Sequence, residues 1–226
     1  MKKVVIFGTS AGSVLSHFCL THDSPHQVAA FTVDRDYIQE KEFRGLPLVP
    51  FDEIESIYPP DSYQMFVPIL ASRVNKTRTE KYQQAKSKGY EFITYVSSKA
   101  ITWPDLVIGE NCFIGEGSIC RPFLTIGDNV MTMAGTFLGH DSVIQDHCFI
   151  ASRAVLLGAV TIESYSCIGA NATILDGVTV ATASVVGAGT VIHENTQARG
   201  VYRASPPNLL PLSSDRLENI LFARHG

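Results

Sequence analysis

From residue 108 to residue 192 one class of residue returns at every sixth position, and the register never slips across those 85 positions. The series runs Ile108, Ile114, Cys120, Ile126, Thr132, Leu138, Ile144, Ile150, Leu156, Ile162, Ile168, Ile174, Val180, Val186 and Ile192. Thirteen of the fifteen are Ile, Leu or Val, which excludes an amphipathic helix, whose apolar period is 3.6. Two residues before each stands a small or β-branched residue, from Cys112 and Ser118 to Ser184 and Thr190, with Leu124 the one larger exception. A spacing of two puts both side chains on one side of a short strand, and a spacing of six is one strand plus one turn. Gly109, Gly115, Gly127, Gly139, Gly169 and Gly187 directly follow the aliphatic position, where a tight turn is needed. Such regularity defines a solenoid in which each unit buries its apolar side only by stacking on its neighbours.

Residues 1–100 have a different period. Val4–Phe7 reads as a short buried strand, followed by the turn Gly8 to Ser13 and an apolar helix through about Leu20. Val28–Val33 is a second strand, 51–57 a short helix, 64–70 a third strand, 75–87 a polar surface helix and 91–96 a fourth strand. This alternation implies a small open sheet with parallel strands, whose ligands sit at the strands' carboxyl ends. Ser213-Ser214-Asp215 caps a last helix, Arg216 to Ala223. The expected division is therefore an α/β domain over 1–100, a β-solenoid over 101–212 and a short C-terminal helix within 213–226.

Composition narrows the function. A formal net charge of −4 offers no basic surface for nucleic acid. No apolar run approaches the ~20 residues that cross a bilayer, and the apolar run Val4–Phe7 is too short for a signal peptide, so a cytoplasmic protein without membrane contact is expected. Cys19, Cys112, Cys120, Cys148 and Cys167 include no CxxC pair, and reduced, buried thiols are expected.

The motif [Ile/Leu/Val]-Gly-x-x-[Ser/Thr/Ala/Val]-x resembles that of the hexapeptide acyltransferases. Lys3-Val4-Val5-Ile6-Phe7-Gly8-Thr9, Tyr95 to Ala100 and Gly139-His140-Asp141-Ser142-Val143-Ile144 further resemble one branch, the sugar acyltransferases similar to sialic acid O-acetyltransferases and to bacillosamine and perosamine N-acetyltransferases. The resemblance implies a left-handed parallel β-helix with three hexads per coil, preceded by a Rossmann-like domain, in a homotrimer with active sites between subunits. It also implies acetyl-CoA as co-substrate, a nucleotide-linked sugar as acceptor, no metal, and a role in surface-glycan synthesis.

With eighteen residues per coil, outward positions stack into three faces. The first holds Phe113, Met131, Phe149, Cys167 and Val185; the second Ile119, Phe137, Val155, Thr173 and Val191; the third Thr125, Val143, Thr161 and Thr179. The first two are too apolar to stay in water, and cover by other subunits is expected for both.

By resemblance His140 matches the general base and Asp141 the acidic residue that orients it. The chemistry fits, because an amine or hydroxyl attacking a thioester must lose a proton and an imidazole accepts one near neutral pH. Family contacts to the acyl donor map onto Ala151, Gly158, Ala170 and Ala188, small residues at turns where a ligand approaches backbone. The N–H of Gly158, which stacks on His140, is the expected oxyanion donor. Gly8, Ser10, Ala11 and Gly12, at a strand-to-helix turn, suit a phosphate, and Asp34 and Arg35 suit a base or ribose. The glycines do not form a full GxGxxG. The rivals are a β-helical nucleotidyltransferase, for which no basic glycine-rich loop is found, and a silent sugar-binding member of the fold.

Overall fold

The computed structural model describes residues 2–204, so the helix expected from Arg216 to Ala223 lies outside the described residues. The N-terminal part comprises β1 (Lys3–Phe7), α1 (Ala11–Asp23), β2 (Val28–Val33), β3 (Glu42–Phe43), β4 (Leu46–Pro50), α2 (Ile54–Ile57), β5 (Tyr63–Phe66) and α3 (Lys76–Ser87). Its sheet has the order β3-β4-β2-β1-β5, with β3 antiparallel and the rest parallel. The buried runs at β1 and β2 fit parallel strands covered on both sides. The β3–β4 hairpin was not expected; Arg44 and Gly45, both with positive φ, make its tight turn.

The expected fourth strand is divided. Phe92 only bridges Met65, whereas β6 (Tyr95–Val96) pairs with Phe113–Ile114 and begins the solenoid. That solenoid is a left-handed β-helix of two-residue strands at six-residue steps, from Val107–Ile108 to Val191–Ile192, arranged as three parallel sheets. Successive coils pair in register at a spacing of 18, as in Phe137 with Val155. The inward aliphatic series is buried and forms one continuous core from Ile114 to Ile192. Left-handed residues such as Asn111, Asp141 and Ala159 turn the corners.

The first face behaves differently from expectation. It is covered by the chain's own N-terminal domain, not by another subunit. Phe113 and Met131 are buried in the same cluster as Ile6, Phe31 and Phe66, with Phe149 packed against it. Full burial of each such side chain stabilises the docking by about 1.5–3 kcal/mol. Polar side chains fix the register. Arg78 of α3, fully buried, donates to the carbonyls of Ile69 and Leu70 on its own side and of Asn129, His147 and Cys148 on the β-helix. Asn111 accepts the N–H of Val67 at 2.8 Å, and Asn75 donates to the carbonyls of Tyr165 and Ser166. At the other end of the contact, Asp23 accepts hydrogen bonds from Tyr95, Ser97 and Ser98, which hold its carboxyl well below the usual carboxylate range.

The second face has no such cover. Ile119, Phe137, Val155 and Thr173 are half-buried and Val191 is 47% exposed. All five cysteines are buried free thiols; burial pushes Cys112 and Cys148 up to about 12. No helix among the described residues is long and apolar enough to cross a membrane.

Candidate active site

Two places in the fold carry chemistry. One is the mouth of the N-terminal sheet, where β1 ends at Gly8 with φ +99° and its N–H donates to the Thr32 carbonyl at 2.7 Å. A Cβ at Gly8 would lie 2.8 Å from the Ser13 hydroxyl, which itself donates to the Phe7 carbonyl. A Cβ at Gly12 would lie 2.1 Å from the Pro68 carbonyl, so only glycine lets α1 approach the loop after β5. Ser10 takes the N-cap position but makes no side-chain cap, which leaves first-turn N–H groups of α1 open to a ligand.

A cavity of about 450 Å³ opens there, lined by Gly8, Ser10, Ala11, Gly12, Asp34, Tyr37, Leu70, Thr77 and Lys81 among others. Five of the six expected N-terminal residues thus meet on one cavity. Arg35 does not. It is paired with Asp52 and Glu53 at 2.7 and 2.5 Å and lines a second cavity of about 420 Å³, which shares the Asp34 wall. Lys81 was missed, because its helix reads as a polar surface helix. Its ammonium is 2.6 Å from Asp34 and 5.5 Å from the centre of the Phe7 ring, which places one cation beside the open N–H groups.

The other place is the corner between the second and third faces. The strand Phe137–Leu138 ends at Gly139, and Asp141 turns the corner with φ 56°, a conformation Asp tolerates better than most residues. His140 Nδ1 and Asp141 Oδ2 are 2.7 Å apart, so the carboxylate sets the ring's orientation and favours the tautomer with its lone pair on Nε2. Both side chains are more than half exposed. The ring lies over Gly158, where a Cβ would be 2.6 Å from Nε2 and Cε1. Nε2 has no hydrogen-bond partner among the described residues.

The Gly158 N–H is not open to an oxyanion in this structure, because it donates to Asp176 Oδ1 at 2.9 Å. The turn sequence Asp176-Gly177 gave no sign of that contact. The four expected acyl-donor residues fall on two edges. Gly158 sits with His140, whereas Ala151, Ala170 and Ala188 follow strands of the first face and lie along the corner to the second. Both edges border the uncovered second face. Among the described residues no group of three His, Cys, Asp or Glu side chains is placed to hold a metal.

The two places are far apart in topology. The N-terminal domain covers the first face, and His140 lies at the edge opposite that face. Within one chain the cavity and the imidazole share no residue.

This is a hexapeptide-repeat β-helix with an appended α/β domain. Residues 105–140 and 159–194 match the family model described as the hexapeptide repeat of succinyl-transferase. The same fold is found in a variant of perosamine N-acetyltransferase from Caulobacter crescentus, solved in complex with CoA and GDP-perosamine (TM-score 0.82, 21% identity, 90% of this chain and 94% of that one). The acetyltransferase domain of PglB from Neisseria gonorrhoeae (0.80, 18%, 93% and 100%) and WeeI from Acinetobacter baumannii (0.75, 20%, 93% and 100%) share it. Comparison with curated proteins gave no match.

Proposed function

We propose that the protein is an acetyl-CoA-dependent N-acetyltransferase acting on a nucleotide-linked amino sugar for bacterial surface-glycan synthesis, working as a cytoplasmic homotrimer. The observation that carries the reading is the His140–Asp141 pair, with Nε2 open over the side-chain-free surface of Gly158. Solved proteins of this fold that bind CoA with GDP-perosamine, or acetyl coenzyme A, support the substrate classes.

The nucleotide's phosphates occupy the N–H groups at the start of α1, beside Lys81. Asp34 meets the ribose or base, and Arg35 borders the adjoining cavity. Acetyl-CoA lies along the second face, its pantetheine arm bonded to backbone near Ala151, Ala170 and Ala188, its thioester beside His140. Nε2 accepts the proton as the acceptor attacks the thioester carbon, and Asp141 supports the imidazolium. No covalent enzyme intermediate is needed. The domain that carries the cavity covers the first face and His140 lies at the edge opposite that face, which supports a site joined across neighbouring copies that pack through their second faces.

The test is free-thiol release from acetyl-CoA with a panel of nucleotide-linked 4-amino and 3-amino sugars. Wild type should release thiol with one of them. His140→Ala should lose about 10²–10⁴-fold in rate while remaining folded. Equal rates in the two proteins would overturn the assignment of the base.

A further inference from the structure

Asp176 Oδ1 lies 3.2 Å from the point where a Gly158 Cβ would stand, and His140 Nε2 lies 2.6 Å from that same point, so the two atoms are within 5.8 Å of each other. The imidazole therefore has a carboxylate on each side. Asp141 occupies Nδ1, and Asp176 stands on the Nε2 side, one coil beyond Gly158. Asp176 is exposed, and its only hydrogen bond among the described residues is the one Oδ1 accepts from Gly158. Its Oδ2, on the same carboxylate, and His140 Nε2 are both acceptors without a hydrogen-bond partner among the described residues. A group that satisfies both must donate at least two hydrogen bonds, and the carboxylate favours one that is positively charged. A primary ammonium does this. A hydroxyl has a single proton to donate and carries no charge of its own, so it satisfies only one of the two acceptors.

We propose that Asp176 is the specificity-determining residue for the acceptor, holding a sugar ammonium against His140 and so selecting amines over hydroxyls. The inference rests on the acyltransferase reading above and deepens it by fixing the acceptor class. The ammonium binds between Asp176 and Nε2 and gives one proton to solvent. The neutral amine attacks the thioester carbon, forming the C–N bond, and its second proton passes to Nε2. The C–S bond then breaks, and the leaving thiolate takes that proton from the imidazolium. One ammonium and one acyl thioester yield one amide, one thiol and one released proton. With Asp176 on the Gly158 N–H, that amide is not the oxyanion donor. An oxyanion placed there would also face the carboxylate, which penalises it.

The test separates charge from tethering. Asp176→Asn keeps an Oδ1 that can accept the Gly158 N–H but loses the charge and turns the free oxygen into an NH2 donor; Asp176→Ala removes the tether to Gly158 as well. Wild type and both variants are titrated calorimetrically with nucleotide-linked 4-amino sugars and their 4-hydroxyl counterparts, and thiol release is followed in parallel. Wild type should prefer the amine by about 10- to 100-fold, the range of one charge-assisted hydrogen bond at an open site. Asp176→Asn should abolish the preference through weaker amine binding, leaving KM for acetyl-CoA unchanged. Equal binding of amine and hydroxyl by wild type would overturn the inference, as would a preference that survives in Asp176→Asn or binding of neither sugar. An amine preference lost in Asp176→Asn without thiol release from wild type would support this role for Asp176 and count against the acyltransferase reading instead.

Discussion

Replacing Arg78 should loosen the N-terminal domain from the β-helix, and the size of the effect follows from its hydrogen bonds. The guanidinium has no carboxylate partner; every acceptor is a carbonyl or amide oxygen. The carbonyls of Ile69, Asn129 and His147 receive no other hydrogen bond among the described residues. Arg78→Met would leave all three unpaired, those of Asn129 and His147 buried and that of Ile69 partly so, at about 1–3 kcal/mol each. Burial pushes the guanidinium down to about 10, so it is charged at neutral pH, and the variant also sheds a desolvated charge. That gain offsets part of the loss and puts the net cost in the lower part of the range, about 3–5 kcal/mol. For a chain of this size the melting temperature should fall by about 6–20 °C. Arg78→Lys keeps the charge but gathers its donors on one atom, and should cost about half as much. Urea unfolding is followed by Trp103, the only tryptophan, which sits at the start of the β-helix, and by hydrogen exchange at the α3 amides. The α3 amides should lose protection before Trp103 responds. A single transition within about 1 kcal/mol of wild type, with α3 still protected, would refute the reasoning.

Three further outcomes are expected. Gly158→Ala should displace the His140 ring, because its Cβ would meet Nε2 and Cε1 at 2.6 Å; kcat should drop at least tenfold (about 1.4 kcal/mol) while the circular dichroism spectrum is unchanged. His147 is buried against α3 and its pKa is lowered, first by burial and then by the Arg78 charge. A folded-state pKa below the unfolded value of about 6.5 means stability is full above that pH and is lost as pH falls through it. The urea midpoint of wild type should therefore fall between pH 7.5 and 5 by more than that of His147→Gln, a comparison that subtracts the similar contributions of His17 and His26. Val155→Asp would put a charge at the centre of the uncovered second face, and sedimentation should then report monomers where wild type self-associates.

The β-helix was legible because its information is local. A strand and turn of six residues, repeated, leave one way to bury Ile114 to Ile192, and no distant contact is needed to see it. The corner carrying His140 and Asp141 was legible for the same reason, since position in the hexad fixes position on the prism. The interface was not. Phe113 and Met131 form the same kind of apolar strip as Phe137 and Val155, and periodicity records that a strip needs cover without recording what covers it. Arg78 lies in Lys76-Thr77-Arg78-Thr79-Glu80-Lys81, a run indistinguishable in composition from a solvated helix. Only the carbonyls brought to it by a separate part of the chain make its burial tolerable. Lys81 was hidden in the same helix because its partner Asp34 follows a strand 47 residues away, and Asp176 in an ordinary Asp-Gly turn because its partner Gly158 lies one coil away.

These long-range placements also decide how the molecule can work. Docking the α/β domain on the first face uses up one apolar strip within the chain and leaves the second uncovered. It also puts the domain with the cavity at the start of α1 on the first face, while His140 lies at the edge opposite that face. On the proposed function, a single copy would carry the nucleotide site and the base on separate parts of the fold. The proposed association through Phe137 and Val155 would bring the His140 edge of one copy toward a neighbouring copy, so covering the strip that the sequence marks as needing cover would also assemble the site. Val155→Asp should on this account abolish thiol release together with self-association, although Val155 touches neither cavity nor imidazole.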